Sequence, residues 1–268
     1  MRIVADEPGT RISDGAVVTI GAYDGVHRGH QAVLRLVHDL AAARELDAVA
    51  VTFDRHPASV VRPEHAPKLL TTIDQKLELL AGLGTIDTCL VLAFDEARSK
   101  ETAEEFVLDV LVERLRARLV VVGADFHFGH RRAGNVAMLE SMGSSLGFEV
   151  VGLGLVAPDG ESTAPYSSTR VRAALAEGDV VSAANLLGRP HAVRAVAAEA
   201  DDVAVDADRC LPAPGTYRGE LLDLDAGSDQ PARIVVDRSP AVSAEVERSI
   251  PAGTPVELRF LEPDPANA

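Results

Sequence analysis

The 268-residue chain has no tryptophan, only two cysteines, and only 4% aromatic residues. Its lysines are three: Lys68, Lys76 and Lys100. Each scarcity excludes something. Few rings are available to stack on a flat ligand, which singles out Phe53, Phe126 and Phe128, although each also suits a core. Cys89 and Cys210 cannot build a disulfide framework and fit a reducing compartment. No apolar stretch approaches the roughly 20 residues of a membrane span. Residues 1–7 lack the apolar region of a signal peptide. A cytoplasmic protein with no membrane partner is expected. Lys and Arg number 26 against 41 Asp and Glu, a net charge of −15. Nucleic-acid surfaces are basic, so none is expected here. A phosphorylated ligand stays possible, because helix termini and a few arginines act locally.

An apolar content of 47% supports a true core. The length suits one large domain and one small one. Strand-like runs near residues 16–21, 47–53, 87–93, 118–123 and 148–156 alternate with helix-period segments. The latter fall near 30–46, 72–82, 102–117, 134–146, 168–176 and 179–188. Such alternation predicts a doubly wound, parallel α/β sheet. Thr72 with Gln75, and Thr102 with Glu105, read as capping boxes. After Pro190 the texture changes to short β-like pieces near 215–222, 233–237 and 255–261. These predict a small antiparallel barrel or sandwich, with residues 262–268 as a frayed tail. The expected domains are 1–189 and 190–268. In open α/β sheets ligands bind beyond the C-terminal strand ends. The loops after Ile20, Phe53 and Gly123 should therefore gather on one edge.

Gly21-Ala22-Tyr23-Asp24-Gly25-Val26-His27-Arg28-Gly29-His30 joins the first buried strand to a helix. Residues i and i+3 share a helix face, so His27 and His30 can address one ligand. A helix N-terminus offers unpaired N–H groups and partial positive charge, which suits phosphate. Gly21 and Gly29 allow close backbone approach. Asp24 is either a turn-former or a charge partner for an imidazole. Two histidines could bind zinc, but a catalytic zinc usually has three protein ligands, so no metal ligands are assigned. The glycine spacing is not the dinucleotide fingerprint, and no Gly-Lys-Ser/Thr follows as in a P-loop. Tyr166-Ser167-Ser168-Thr169-Arg170-Val171-Arg172 opens a second helix. Ser167 or Ser168 fits its N-cap. Its hydroxyls and arginine could hold a terminal phosphate. His130-Arg131-Arg132 reads as a solvated helix entry or as another phosphate contact.

These motifs resemble the prokaryotic bifunctional FAD synthetases, which join a riboflavin kinase to an FMN adenylyltransferase. His27, Gly29 and His30 resemble the His-x-Gly-His turn of the nucleotidyltransferase module, and residues 167–172 its Ser-Ser-Thr-x-Ile-Arg element. Residues 52–57 resemble its Thr-Phe-Asp-Pro-His-Pro segment. Residues 122–129 resemble its Gly-x-Asn/Asp-Phe-x-Phe-Gly segment, and 183–190 its closing helix. The likeness runs in order over about residues 1 to 190. Tyr23 stands where Phe is usual, and Arg55 replaces a Pro near the expected flavin. The kinase's Pro-Thr-Ala-Asn motif is missing from 191–268, a segment shorter than a full kinase domain. Residues 211–219 still look like that domain's strand entry, so a reduced, kinase-inactive β domain is expected.

The resemblance implies an enzyme that makes FAD and pyrophosphate from FMN and ATP, with Mg²⁺ accompanying ATP. His27, His30 and Arg172 would be catalytic. Gly21, Tyr23, Asp24, Gly29, Ser168 and Thr169 would bind ATP. Phe53, Asp54, His56, Asp125, Phe126 and Phe128 would bind the flavin. The alternatives are a nucleotidyltransferase with another phosphate acceptor, a still bifunctional enzyme, or a nucleotide- or flavin-binding regulator without turnover.

Overall fold

The computed structural model describes residues 1–7, 9–154, 165–199, 201–238 and 241–264. The end of the strand expected at 148–156, and residues 265–268 of the expected tail, lie outside them. The chain divides into two compact units. One is Met1–Pro67 with Lys76–Pro165, and the other Lys68–Gln75 with Tyr166–Ala268.

The first unit is built on a six-stranded sheet. Its strands are β1 (Arg2–Ala5), β2 (Ala16–Ile20), β3 (Asp47–Phe53), β4 (Thr88–Leu92), β5 (Ala117–Gly123) and β8 (Glu149–Leu153). Their order is β1-β4-β3-β2-β5-β8, and all pairings are parallel. A two-stranded hairpin, β6 (His127–Phe128) with β7 (Gly134–Asn135), follows β5. The helices are α1 (Arg28–Ala42), α2 (Ala58–Val61), α3 (Ile73–Gly82, from Lys76 onward in this unit), α4 (Glu96–Ser99), α5 (Ala103–Phe106) and α6 (Val136–Leu146). Every residue of β2 is buried, because a parallel sheet covered on both faces needs an unbroken apolar strand. Alternate side chains serve opposite layers. Val17 packs with Leu34, Val37 and Ala41 of α1. Ala16, Val18 and Ile20 pack with Phe106, Val107, Val110 and Leu111. The doubly wound parallel sheet read from the sequence is the architecture found.

Two features depart from the sequence pattern. Strand β1 was not expected, since it is short and mostly exposed at the sheet edge. It is followed by a buried ion cluster. Asp6 accepts from Arg114 Nη1 at 2.8 Å and from Arg98 Nη2 at 2.9 Å, and Arg114 is only 1% exposed. Such a buried pair is costly to break from one side, which secures the segment against the sheet. The helix expected over 102–117 begins with its capping box, Glu105 N–H to Thr102 Oγ1 at 3.1 Å and Thr102 N–H to Glu105 Oε2 at 2.8 Å. It then widens over Val107–Arg114, where Leu115 N–H reaches Val110 O at 3.1 Å in an i→i−5 bond.

The second unit is a closed six-stranded barrel preceded by two helices. The helices are α7 (Ser168–Ala176) and α8 (Val180–Leu187). The strands are β9 (His191–Ala197), β10 (Asp202–Ala204), β11 (Gly215–Asp223), β12 (Ser228–Val236), β13 (Val242–Val246) and β14 (Pro255–Pro263), all antiparallel, in the order β10-β13-β12-β11-β14-β9. Of the two all-β forms considered, the barrel is realised. Strands β9, β10 and β13 were not anticipated, being alanine-rich or short. Val171, Leu175, Ala183 and Leu187 of the helices share one core with Val193, Tyr217 and Phe260 of the barrel. Packing therefore divides the chain near residue 165, ahead of the 189/190 division read from the motifs.

The pairing of β11 with β14 shifts register between Arg218 and Gly219, as at a β-bulge. A Cβ at Gly219 would overlap the Arg259 carbonyl oxygen and meet Ile234 Cδ1 at 2.6 Å. Gly219→Ala should destabilise this unit by about 1–3 kcal/mol through overpacking. Urea unfolding followed by a barrel-specific probe checks this; an unchanged midpoint would refute the steric account.

Candidate active site

The connection from β2 to α1 is short and strained. Gly21 N–H bonds to Val51 O at 3.0 Å, continuing the β2–β3 ladder. Residues 23–26 then form a turn closed by Val26 N–H to Tyr23 O at 3.0 Å. Tyr23, Gly25 and Val26 have φ of 50°, 79° and 40°. Such values suit glycine but strain tyrosine and, above all, a β-branched valine. Gln31 Nε2 donates to Val26 O at 2.9 Å and holds the turn from α1.

Expected as an ATP contact, Tyr23 turns its side chain inward instead. Its ring is 2% exposed, and its hydroxyl shares a 2.9 Å hydrogen bond with Thr19 Oγ1. Burial pushes the phenol well above its ordinary pKa. The ring also explains Gly21, because a Cβ there would press on it at 3.1 Å. Asp24 is buried within the turn. Gly29 is buried in the first turn of α1.

The two histidines come together. His27 is the N-cap of α1, its Nδ1 accepting the His30 N–H at 3.3 Å. In the neutral ring that bond places the proton on Nε2. The imidazoles of His27 and His30 stack with centroids 3.6 Å apart and planes 19° apart. Tyr23 meets His30 edge-on at 5.1 Å. His30 Nδ1 is buried and has no hydrogen-bond partner among the described residues. Burial, then the neighbouring His27 and Lys76, holds the His30 pKa well below its ordinary value. The site is thus a helix N-terminus beside a His30 imidazole held toward its neutral form, and a helix N-terminus is a setting that favours anions.

Lys76 was not singled out by the sequence reading. It lies on α3, 7% exposed, and donates to Ala22 O at 3.2 Å and Phe53 O at 2.8 Å. Burial lowers its pKa to about 8, against the opposing pull of Asp24, Cys89 and Asp54. Its rarity in a lysine-poor chain was the available signal.

The residues expected at the flavin follow β3 and β5. Phe53 meets Phe94 edge-on at 5.2 Å. Asp54 accepts Phe94 N–H at 2.9 Å and Arg55 Nη2 at 3.0 Å, tying two loops together. His56 Nδ1 accepts Ala58 N–H at 3.2 Å beside α2. Asp125 is exposed in the loop after β5. Phe126 stacks on Phe128 at 5.5 Å and is half-buried. Phe128 belongs to the core and packs on Phe106, so its ring is structural rather than presented to a ligand. Arg131 and Arg132 are exposed and adopt φ of 53° and 60°.

Ser168, Thr169 and Arg172 belong to the second unit. Ser167 is the N-cap of α7, its Oγ accepting Arg170 N–H at 3.2 Å. Ser168 and Thr169 open the helix. Arg172 Nε donates to Lys68 O at 2.7 Å. Among the described residues no group of three or more His, Cys, Asp or Glu side chains could hold a metal. No helix among them is long and apolar enough to cross a membrane.

A parallel α/β sheet carrying a histidine- and glycine-bearing turn at a helix N-terminus marks the nucleotidyltransferase class. A family model described as FAD synthetase matches residues 10–170. The bifunctional riboflavin kinase/FMN adenylyltransferase of Escherichia coli strain K12 is 35% identical over 221 residues, covering 79% of this chain and 69% of that protein. The protein of the same name from Pseudomonas fluorescens is 40% identical over 179 residues, covering 67% and 56%. The chain therefore belongs to the FAD synthetase family, a family of nucleotidyltransferases. The fold matches the crystal structure of a macrolide-efflux protein from Streptococcus pneumoniae with a TM-score of 0.81 at 20% identity, covering 98% of this chain and 91% of that one. At that identity the match concerns the fold alone.

The depressed His30 pKa gives a signed prediction. The unfolded chain binds a proton there more readily than the folded chain. Stability should therefore fall as pH drops below about 6.5, the ordinary histidine value. His30→Gln should flatten that dependence in thermal melts, and ATP should raise the His30 pKa in an NMR titration. A wild-type His30 titrating at or above the ordinary value would contradict the site's electrostatics.

Proposed function

We propose that the chain is an FMN adenylyltransferase that makes FAD and pyrophosphate from FMN and ATP, and that it lacks riboflavin kinase activity. One observation carries the first half. The stacked His27–His30 pair caps α1, with a buried imidazole nitrogen that has no hydrogen-bond partner among the described residues. That is a site for phosphate, and both quoted relatives are named for adenylyl transfer to FMN. The motif content of the second unit supports the other half, since residues 191–268 hold no Pro-Thr-Ala-Asn segment.

In the reaction a phosphate oxygen of FMN forms a bond to the α-phosphorus of ATP while the bond to pyrophosphate breaks. The acceptor phosphate is already anionic, so no general base is required. The protein aligns the two groups and stabilises charge on the transferring and departing phosphates. His27 Nε2–H and the His30 imidazole donate to the phosphates. The N–H groups at the start of α1, beside Gly29, add fixed partial charge. Tyr23 and Gly21 contribute through the backbone they shape. Asp24 shapes the turn and balances Lys76. Ser168, Thr169 and Arg172 are assigned to the terminal phosphates of ATP. Phe53, Asp54, His56, Asp125 and Phe126 are assigned to the flavin side, with Phe128 behind them as core. Magnesium enters as part of Mg–ATP, held mainly by the nucleotide's own phosphates, as this ion usually is.

Purified protein given ATP, Mg²⁺ and either FMN or riboflavin, with flavins separated by chromatography, tests both halves. FAD from FMN and no product from riboflavin is expected. Any FMN or FAD from riboflavin would overturn the loss of kinase activity and favour the bifunctional reading. No FAD from FMN would overturn the acceptor. His30→Ala should lower turnover by roughly 10²–10³, the usual loss for one transition-state donor. A near-wild-type rate would remove His30 from the chemistry.

A further inference from the structure

Lys76 is the buried charge that the transfer chemistry leaves unused. An ammonium withdrawn from water is costly unless its protons find acceptors. Here they go to two main-chain oxygens, Ala22 O inside the strained turn and Phe53 O at the end of β3. Thr52 Oγ1 also reaches Ala22 O, at 3.4 Å. The ionisable groups acting on the amine are the Asp24 and Asp54 carboxylates and the Cys89 thiol, and the amine in turn acts on the His30 imidazole. Ala22 directly precedes Tyr23 at φ 50°, and the turn ends with Val26 at φ 40°. Such strain persists only where the surroundings over-determine the backbone. Val51 holds Gly21 N–H and Gln31 holds Val26 O, while Lys76 and Thr52 hold the carbonyl between them.

We propose that Lys76 is a positioning residue: it locks the Ala22 carbonyl, so that the strained turn presents its backbone and both imidazoles to a phosphate, and it fixes the end of β3 beside that turn. The clamp stands on its own geometry, whereas its effect on turnover rests on the adenylyltransferase reading above.

Lys76→Met keeps the length and removes the donors; Lys76→Arg keeps charge and donors. Four readouts are compared with wild type: hydrogen exchange at residues 21–27, the pH dependence of His30 imidazole NMR shifts, ATP affinity by calorimetry, and kcat/KM. Lys76→Met should speed exchange in the turn by roughly tenfold or more while β5 stays protected, a local opening rather than global unfolding. Wild-type His30 shifts should carry a second inflection from the neighbouring Lys76 amine, whose pKa is lowered to about 8, and this inflection should be absent both in Lys76→Met and in Lys76→Arg, whose guanidinium stays charged. Misplacement of the turn should weaken ATP binding and lower kcat/KM by roughly 10²-fold, with partial rescue by arginine. Unchanged turn exchange and ATP affinity in Lys76→Met would overturn the proposal, even with a lower melting temperature. If Lys76→Met does not fold, Lys76→Gln is measured in its place, and unchanged exchange in the turn there overturns the proposal. A wild type with these signatures but no FAD from FMN would sink the adenylyltransferase reading and leave the clamp standing.

Discussion

The first unit depends on how the chain leaves β2. That strand is buried on both faces, and seven residues after Gly21 the chain begins helix α1. The connection must reverse direction without burying unsatisfied backbone. It does so by accepting positive φ at Tyr23, Gly25 and Val26 and by pinning its polar groups to Val51, Gln31, Thr52 and Lys76. Relaxing any pin lets the turn seek ordinary backbone angles. The histidine pair would then lose the frame that stacks it.

Electrostatics in this chain is local rather than global. A net charge of −15 would repel a nucleotide if it were spread evenly. The buried cations oppose it where it matters. Lys76 lies against the turn between β2 and α1, and Arg114 with Arg98 neutralises Asp6 near the sheet edge. The helix N-terminus adds partial positive charge that formal counting omits. The same crowding, burial first and then His27 and Lys76, holds the His30 pKa well below its ordinary value and favours the neutral imidazole.

The second unit follows a different logic. A closed barrel removes exposed strand edges and needs inward residues only at alternate positions. Strand β9, with the sequence His-Ala-Val-Arg-Ala-Val-Ala, alternates in burial but carries too few large side chains to announce itself. Its core is completed by Val171, Leu175 and Leu187 from the helices before it. Helices with a motif identity from one module and a packing identity from another make the two boundaries differ.

The sequence by itself determined the parallel α/β architecture, because fully buried strands require unbroken apolar runs and their helices a 3.6-residue period. It also determined where the histidine turn lies, since glycine, histidine and strand-to-helix order are local properties. The capping boxes at Thr72 and Thr102 were legible for the same reason. Tertiary structure alone decided what surrounds the turn. Lys76 and Phe94 are distant in the chain from the groups they meet, and no local pattern links them to Ala22 or Asp54. Tyr23 and Phe128 read as ligand contacts yet fill the core, because an aromatic ring looks alike in sequence whichever way its Cβ points. Local periodicity could be read in advance; the direction of each ring and the partner of each buried charge depended on contacts between segments far apart in the chain.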